Sequence, residues 1–505
     1  MTEQKYNEQE YLEKITRVAE EGPFTPDWDS LAEAETPSWF MKSRFGIFIH
    51  WGLYSVAAHA NEWYSRNMYI KEKEEWDYHR RTFGEHTKFG YKDFIPLFTA
   101  ENFDPDEWAQ LFREAGAKYI FPVAEHHDGF QMYRSSISRF NTWDMGPHRD
   151  ILGELKDAAR KNDLVFCTSS HRAEHWWFMG HGREFDSDVK EPMKRGDFYW
   201  PAMPEPHEAD LTSRPYPNEE FLTDWLVRTC EIVDRYQPSL IYFDWWIQHE
   251  AFKGVLKTFA AYYYNRGKQW GKDVSICYKH DAMMFGSGIV EVERGALADV
   301  KPYAWQTDTA IAKNSWCYTD TLEYKTAGQI VRMLIEVISK NGNMLLNVGP
   351  KGDGSIPEGD RRILQEIGVW MKKNGEAVYG SRPWRVSGEG SVHIREGQFT
   401  DNEELPYTRE DIRFTVKGGS IYAFLMRCPR DGRVTIRSLA DSRDQNTSQF
   451  HGLVESVSVL GEEADRVEWT KDPEGLHMVL HRSVSGLERQ TEETNMPVVV
   501  KIRLK

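Results

Sequence analysis

An α/β fold is predicted for this 505-residue chain: a (β/α)8-like (TIM-type) barrel, irregular on one side, over residues 1–373, followed by a C-terminal all-β sandwich over 374–505. Three observations predict it. Short apolar runs alternate with long amphipathic segments through residue 373, the pattern of repeated βα units. Eight such runs are present, the number that closes a barrel of parallel strands. Past the helical stretch "DRRILQEIGVWMKK" the texture changes to segments alternating apolar and polar residues between Gly and Asp turns, which reads as antiparallel strands.

The eight runs are residues 45–51, 117–127, 164–171, 240–245, 274–279, 288–293, 303–308 and 343–350. Between them, the helices carry their own punctuation. In "NFDPDEWAQLFREAGAKY", Asp104 can cap, Pro105 takes the first helical position, Glu107 completes a capping box and Gly116 stops the helix. "NEEFLTDWLVRTCEIVDRYQP" is closed by Pro238, and "YKTAGQIVRMLIEVISKNGN" ends at Asn341 and Gly342, both tolerant of a left-handed cap. Only residues 280–287 separate the fifth and sixth strands, too few for a crossover helix, so that side is expected to be irregular. Residues 172–217 form a long insertion after the third strand, placed to shape a pocket at the barrel mouth. In the sandwich, 413–426, 433–439, 476–482 and 498–505 read as strands.

Composition excludes several function classes. A formal charge of -16, from 63 basic against 79 acidic residues, argues against a phosphate-backbone partner, so no nucleic acid is expected. The N-terminal residues are charged and lack a signal-peptide apolar run, and no segment approaches the roughly 18 apolar residues of a membrane span. A cytoplasmic protein without membrane contact is therefore expected. Five scattered cysteines contain no CxxC pair and read as reduced core residues. The nineteen tryptophans serve cores, and can also stack on sugar rings. The sequence leaves open whether the chain forms a homo-oligomer.

Chemistry collects at the strand ends. They supply His50, the run His126, His127 and Asp128, then His171, Asp244, Lys279, Glu293, Asp308 and Asn347, while "NEWY" brings Glu62 and Trp63 to the same rim. In a barrel these converge on one mouth. Asp244 is the most conspicuous: it ends the apolar run of "PSLIYFDWW", where an isolated carboxylate is costly unless paired.

Three readings compete. A metal site could draw on His126, His127, Asp128, His171, Glu174 and His175, but no HxH or HExxH spacing is present, and adjacent strand residues such as His126 and His127 point to opposite faces. A non-catalytic sugar-binding protein leaves the strand-end carboxylate without a purpose. Glycoside hydrolysis by two carboxylates gives it one.

The stretches "RFGIFIHWGLYSV", "NEWY", "EHHDGFQMY", "HRDILGEL", "LIYFDWW", "NGNMLLNVGPKGDGSIPE" and "NGEAVYGSRPW" resemble glycoside hydrolase family 29, the α-L-fucosidases, in consistent order from about residue 37 to 384. The resemblance implies an N-terminal barrel with a C-terminal β domain, and retaining hydrolysis of terminal α-L-fucosides on oligosaccharides and glycoconjugates, with no metal and no cofactor. It implies Asp244 as nucleophile, and His50, Glu62, Trp63, His126 and His127 as fucose contacts. Fucose offers hydroxyls on both faces and an apolar methyl, so imidazoles and a carboxylate can divide the hydroxyls while Trp packs on the methyl side.

Two departures stand out. Where relatives often have Tyr-x-Ser, the chain reads "SSHRAEHWW", which makes His171 the candidate sugar contact. At the fifth strand's end Arg is common, and Lys279 stands here, a point charge instead of a planar fork. These leave room for a related α-L-sugar such as an α-L-galactoside. For the acid/base, Glu291 and Glu293 share one side of a strand; Glu293 is preferred because it lies nearest the strand end, before Arg294 and Gly295 where the chain can turn. Trp245, Trp246 and Trp305 are expected to wall the pocket.

Overall fold

The structure is a computed structural model that describes residues 6–190, 192–207, 211–401, 405–429, 431–441, 450–461, 467–481 and 496–505. The predicted insertion at 172–217 and the predicted strand at 476–482 each extend partly outside these residues.

Nine parallel segments make the barrel wall: β1 (Phe45–Ile49), β2 (Tyr119–Glu125), β3 (Val165–Phe166), β4 (Thr168–Ser170), β5 (Leu240–Phe243), β6 (Ser275–Lys279), β7 (Ile289–Glu293), β8 (Trp305–Ala310) and β9 (Gly342–Val348). β3 and β4 are two pieces of one stave, both paired with β2, so the wall has eight staves, and β1 pairs with both β2 and β9 to close it. Each observed strand lies at or within a few residues of its predicted run.

Apolar side chains fill the base of the barrel, among them Phe121, Leu240, Cys277, Ile289 and Leu345. Above them lies a polar layer unusual for a core. Tyr119 donates to Gln306, Gln306 donates to Glu291, and Tyr242 donates to Asp308. The second, larger core lies outside the staves, between them and helices such as Pro105–Glu114, Glu219–Tyr236 and Ala327–Ser339.

Local capping follows the sequence with one exception. Asp104 accepts from the backbone N–H groups of Asp106 and Glu107, but Glu107 pairs with Arg361 of the helix Glu358–Val378 instead of closing a capping box. Thr326 and Gln329 do form a capping box. The left-handed residue after Ala327–Ser339 is Asn341, at φ 75°.

Residues 280–288 contain no helix, as the short spacing requires, and neither do residues 294–304 between β7 and β8. The wall is therefore thin on this side. A segment from beyond the barrel covers it: Ala296 and Gly397 exchange both backbone hydrogen bonds, and a Cβ on Gly295 would lie 1.9 Å from the Gly397 carbonyl oxygen. Gly295 permits that close approach because it has no side chain.

The helix Glu358–Val378 runs four residues past the predicted boundary at Asn374, whose side-chain amide donates to Trp370 O. A five-stranded antiparallel sheet follows, built from β10 (Arg382–Glu389), β11 (Ile412–Lys417), β12 (Ser420–Leu425), β14 (Val454–Val459) and β17 (Val498–Leu504). A three-stranded sheet of β13 (Arg433–Ile436), β15 (Val467–Asp472) and β16 (Gly475–Leu480) packs on it through Ile421, Ile502, Leu476 and Met478. Arg413 and Tyr407 both bond Glu336 on the helix Ala327–Ser339, which ties this unit to the barrel. Among the described residues, no helix is long and apolar enough to cross a membrane.

Candidate active site

The C-terminal ends of the staves open into a pocket of about 240 Å³, where ligands bind in barrels of this kind. Of the predicted residues, His50, Glu62, Trp63, His126, His127, His171, Asp244, Lys279 and Glu293 all line it, as do Trp245 and Asp308.

Asp244 follows the last residue of β5, where side chains stop packing against the wall. Lys279 Nζ lies 2.6 Å from its Oδ1, His171 Nδ1 lies 2.8 Å from Oδ2, and His127 Nε2 lies 3.4 Å from Oδ2. Burial alone pushes this carboxyl up, but Lys279, His171 and His127 together overcome it and hold Asp244 well below the usual carboxylate range. Lys279 is buried too. Burial pulls its ammonium down, while Asp244 and Glu293 outweigh that and raise it above the ordinary lysine value. Its Nζ also lies 2.5 Å from Glu293 Oε2, so one ammonium bridges the two carboxyl groups. Trp245 Nε1 donates to the same Glu293 oxygen at 2.7 Å.

The histidines have distinct states. Asn347 Oδ1 accepts from His50 N and from His50 Nδ1, and Asn347 Nδ2 donates to Trp316 O, so the amide orientation makes Nδ1 the protonated nitrogen. Burial holds His50 neutral, which leaves its Nε2 an acceptor. His126 is also held neutral by burial and by the neighbouring imidazoles, and its buried Nδ1 has no hydrogen-bond partner among the described residues. His127 differs. Burial lowers it, but Glu174 and Asp244 raise it further, to about 9, so it is cationic. Its Nδ1 donates to His171 O.

The prediction that His126 and His127 face opposite ways fails, because β2 ends at Glu125 and strand alternation ends with it. The ends of these staves are held by buried ion pairs. Arg172, next to His171, bonds Glu125, next to His126, and also Asp224 of the helix Glu219–Tyr236.

Two trios, His50–His126–His171 and His127–His171–Asp244, bring donor atoms within 4.8 Å of one another. A metal at either trio would have to displace bonds that His171 already makes. His171 belongs to both and has each ring nitrogen engaged, with Asp244 and with Ser169. The charge facing Asp244 is already supplied by Lys279 and His127.

Two expectations about the tryptophans are corrected. Trp305 is completely buried at the opposite end of its stave, where its Nε1 donates to Lys340 O and its ring packs against Gly342, so it does not reach the pocket. Trp246 turns away at φ 81° and stacks on His249. The aromatic wall is completed by Trp316, in the loop after β8, stacked on His50 with ring centroids 5.2 Å apart, and by Phe399. Sequence reasoning missed both. The "NSWCY" loop after a barrel strand was a usable signal for Trp316; Phe399 lies in the region assigned to the sandwich and offered none.

Glu291 is separated from this site. It lies one layer deeper, bonded by Gln306, and burial pushes it well above the carboxylate range. Asp308 is raised to about 7, chiefly by burial, and accepts from Tyr242. Glu62, raised by burial, accepts from Trp316 N.

Comparison with known proteins gives the family. A family model described as alpha-L-fucosidase matches residues 11–376, and one described as alpha-L-fucosidase C-terminal domain matches 406–502. The tissue alpha-L-fucosidase of Rattus norvegicus is 31% identical over 481 residues, covering 92% of this chain and 90% of that protein. The tissue alpha-L-fucosidase of Homo sapiens is 30% identical over 467 residues, covering 92% and 88%. The crystal structure of Thermotoga maritima alpha-fucosidase superposes with a TM-score of 0.72 at 30% identity, covering 95% of this chain and 100% of that one. On its sequence over both units and on its fold, the chain belongs to the α-L-fucosidase family of glycoside hydrolases.

Proposed function

We propose that the chain is an exo-α-L-fucosidase that releases terminal α-L-fucosyl units from oligosaccharides and glycoconjugates with retention, using Asp244 as nucleophile and Glu293 as acid/base. The observation that carries this reading is the shared ammonium of Lys279, 2.6 Å from Asp244 and 2.5 Å from Glu293. The bonded oxygens therefore lie within about 5 Å of one another, the short separation associated with retention and not the roughly 6.5 to 9.5 Å that admits a water for inversion.

In the first step the Asp244 carboxylate attacks the anomeric carbon while Glu293 gives its proton to the departing oxygen. The C–O bond to the leaving group breaks and a fucosyl ester on Asp244 forms. Glu293, now a carboxylate, takes a proton from water as that water attacks the ester, releasing fucose and regenerating Asp244. His50 Nε2 is free to bond a sugar hydroxyl, His126 lines the same pocket, and Trp63 and Trp316 provide apolar faces for the methyl group. Proton NMR of early product from an aryl α-L-fucoside is expected to show α-L-fucose first; β-L-fucose appearing first would sink the retaining mechanism.

A pH prediction follows from the charges. Asp244 is depressed in the folded chain, so its active, ionised form exists above that depressed value and is lost as pH falls through it. Lys279→Met removes the largest charge opposing burial, which raises the Asp244 value. The acidic limb of kcat/KM is therefore expected to move up by about 1 to 3 pH units, and Lys279→Arg to keep most of the wild-type limb. An unmoved limb in Lys279→Met would show that the ammonium does not hold the nucleophile ionised.

A further inference from the structure

Among the described residues, the pocket includes one that does not come from the barrel, Phe399, in the segment between the barrel and the β-sheet unit. We propose that Phe399 and Trp245 together form the binding surface for the leaving-group sugar, a pyranose laid with its apolar C–H face on these rings. This inference rests on the reading of Glu293 as the group that protonates the leaving oxygen.

The segment is fastened to Glu293 itself. Phe399 N donates to Glu293 O at 2.9 Å, and the Gln398 side-chain oxygen accepts from Glu293 N at 2.8 Å. Thr400 N and Asp401 N both donate to Arg294 O, and the Asp401 carboxylate bonds Lys325 and Thr309. With so many anchors, the position of Phe399 is set relative to the carboxyl that meets the leaving group.

Its conformation is costly in two ways. Phe399 holds φ at 55°, a left-handed value that a bulky side chain rarely adopts. The residue is 53% exposed, so burial does not repay that strain in the free protein. The ring instead lies nearly parallel to Trp245, at 10° with centroids 6.4 Å apart. Trp245 is the residue that donates to Glu293 Oε2. Trp245 thus touches the carboxyl and Phe399 lies alongside Trp245, whereas His171 and His127 lie against Asp244. A leaving group bonded through the oxygen that Glu293 protonates must lie beside these rings. Aromatic faces favour the C–H face of a pyranose, and two of them in one orientation select for a ring in that position.

The test uses the full-length protein and two substrates: α-L-fucosyl fluoride, which has no leaving-group ring, and a disaccharide whose leaving group is a pyranose. The quantity read is the ratio of kcat/KM for the disaccharide to that for the fluoride. Phe399→Ala and Phe399→Leu are expected to lower that ratio at least about tenfold, mainly through KM for the disaccharide, and Phe399→Trp to hold it within about threefold. Leu keeps apolar bulk without a flat face, so it separates stacking from packing. An unchanged ratio in Phe399→Leu, or equal losses on both substrates, would overturn the inference while leaving the fucosidase reading intact. A wild-type protein inert toward both substrates would overturn that reading, and this inference with it.

Discussion

Replacing Asp244 by Gly is expected to lower kcat on an aryl α-L-fucoside by on the order of 10⁴- to 10⁶-fold, the loss seen when a covalent nucleophile is removed. The far-UV circular dichroism should be retained, because the packing of β5 rests on Leu240–Phe243 and stops before Asp244. Lys279 Nζ keeps its bond to Glu293 Oε2 in the variant, so the buried ammonium retains a hydrogen-bond partner. Azide supplies the sharper readout. Entering the space vacated by the carboxylate, it attacks the anomeric carbon from the face opposite the leaving group and forms β-L-fucosyl azide. Residual turnover within tenfold of wild type, or an α-azide product, would remove Asp244 from the nucleophile's role. Asp244→Asn provides a second check: it fills the same space without a negative charge, and it should be equally slow.

The barrel was legible because its signals are local. Each stave is a short apolar run, and several of the helices between them carry capping residues such as Asp104 and Thr326 in the sequence. The missing helix between β6 and β7 was legible for the same reason, since chain length alone forbids it. The strands were drawn a residue or two too long at the mouth, over His50, His126 and Asp244. Those residues continue the strand in sequence, but the strands end just before them, at Ile49, Glu125 and Phe243, and their side chains line the pocket.

Most of the pocket was legible through one rule, that the C-terminal ends of barrel strands share one mouth. The misplacement of Trp305 came from overlooking a second rule. Asp308 and Trp305 are three apart on one strand, so they face opposite sides of it. With Asp308 bonded to Tyr242 inside the barrel, Trp305 must face outward, toward the helices. The same alternation misled at His126 and His127, because it was applied past the end of β2. Phe399 could not be found by either rule. It reaches the pocket through hydrogen bonds to residues more than a hundred positions earlier in the chain, and no local pattern encodes such a contact.

Glu293→Ala is expected to lower kcat/KM on a fucosylated disaccharide by about 10²- to 10⁴-fold, because a sugar alkoxide leaves poorly without a proton. On an aryl fucoside with an acidic leaving group the first step needs less help, so the loss falls on hydrolysis of the fucosyl ester, and that intermediate accumulates. Azide needs no general base. It should restore turnover of the aryl substrate by attacking the ester from the face Glu293 has vacated, giving α-L-fucosyl azide, the opposite anomer from the Asp244→Gly product. The pair of anomers therefore assigns the two carboxylates to opposite faces of the sugar without a bound structure. Glu291→Ala is the necessary companion, because Glu291 is also carried inward by β7. It lies below the pocket, held by Gln306 and pushed toward its neutral form by burial. Azide is therefore expected to do nothing for it. Rescue in Glu291→Ala, with none in Glu293→Ala, would mean that the strand presents the deeper carboxyl to substrate and that the bridge from Lys279 to Glu293 serves the wall of the site.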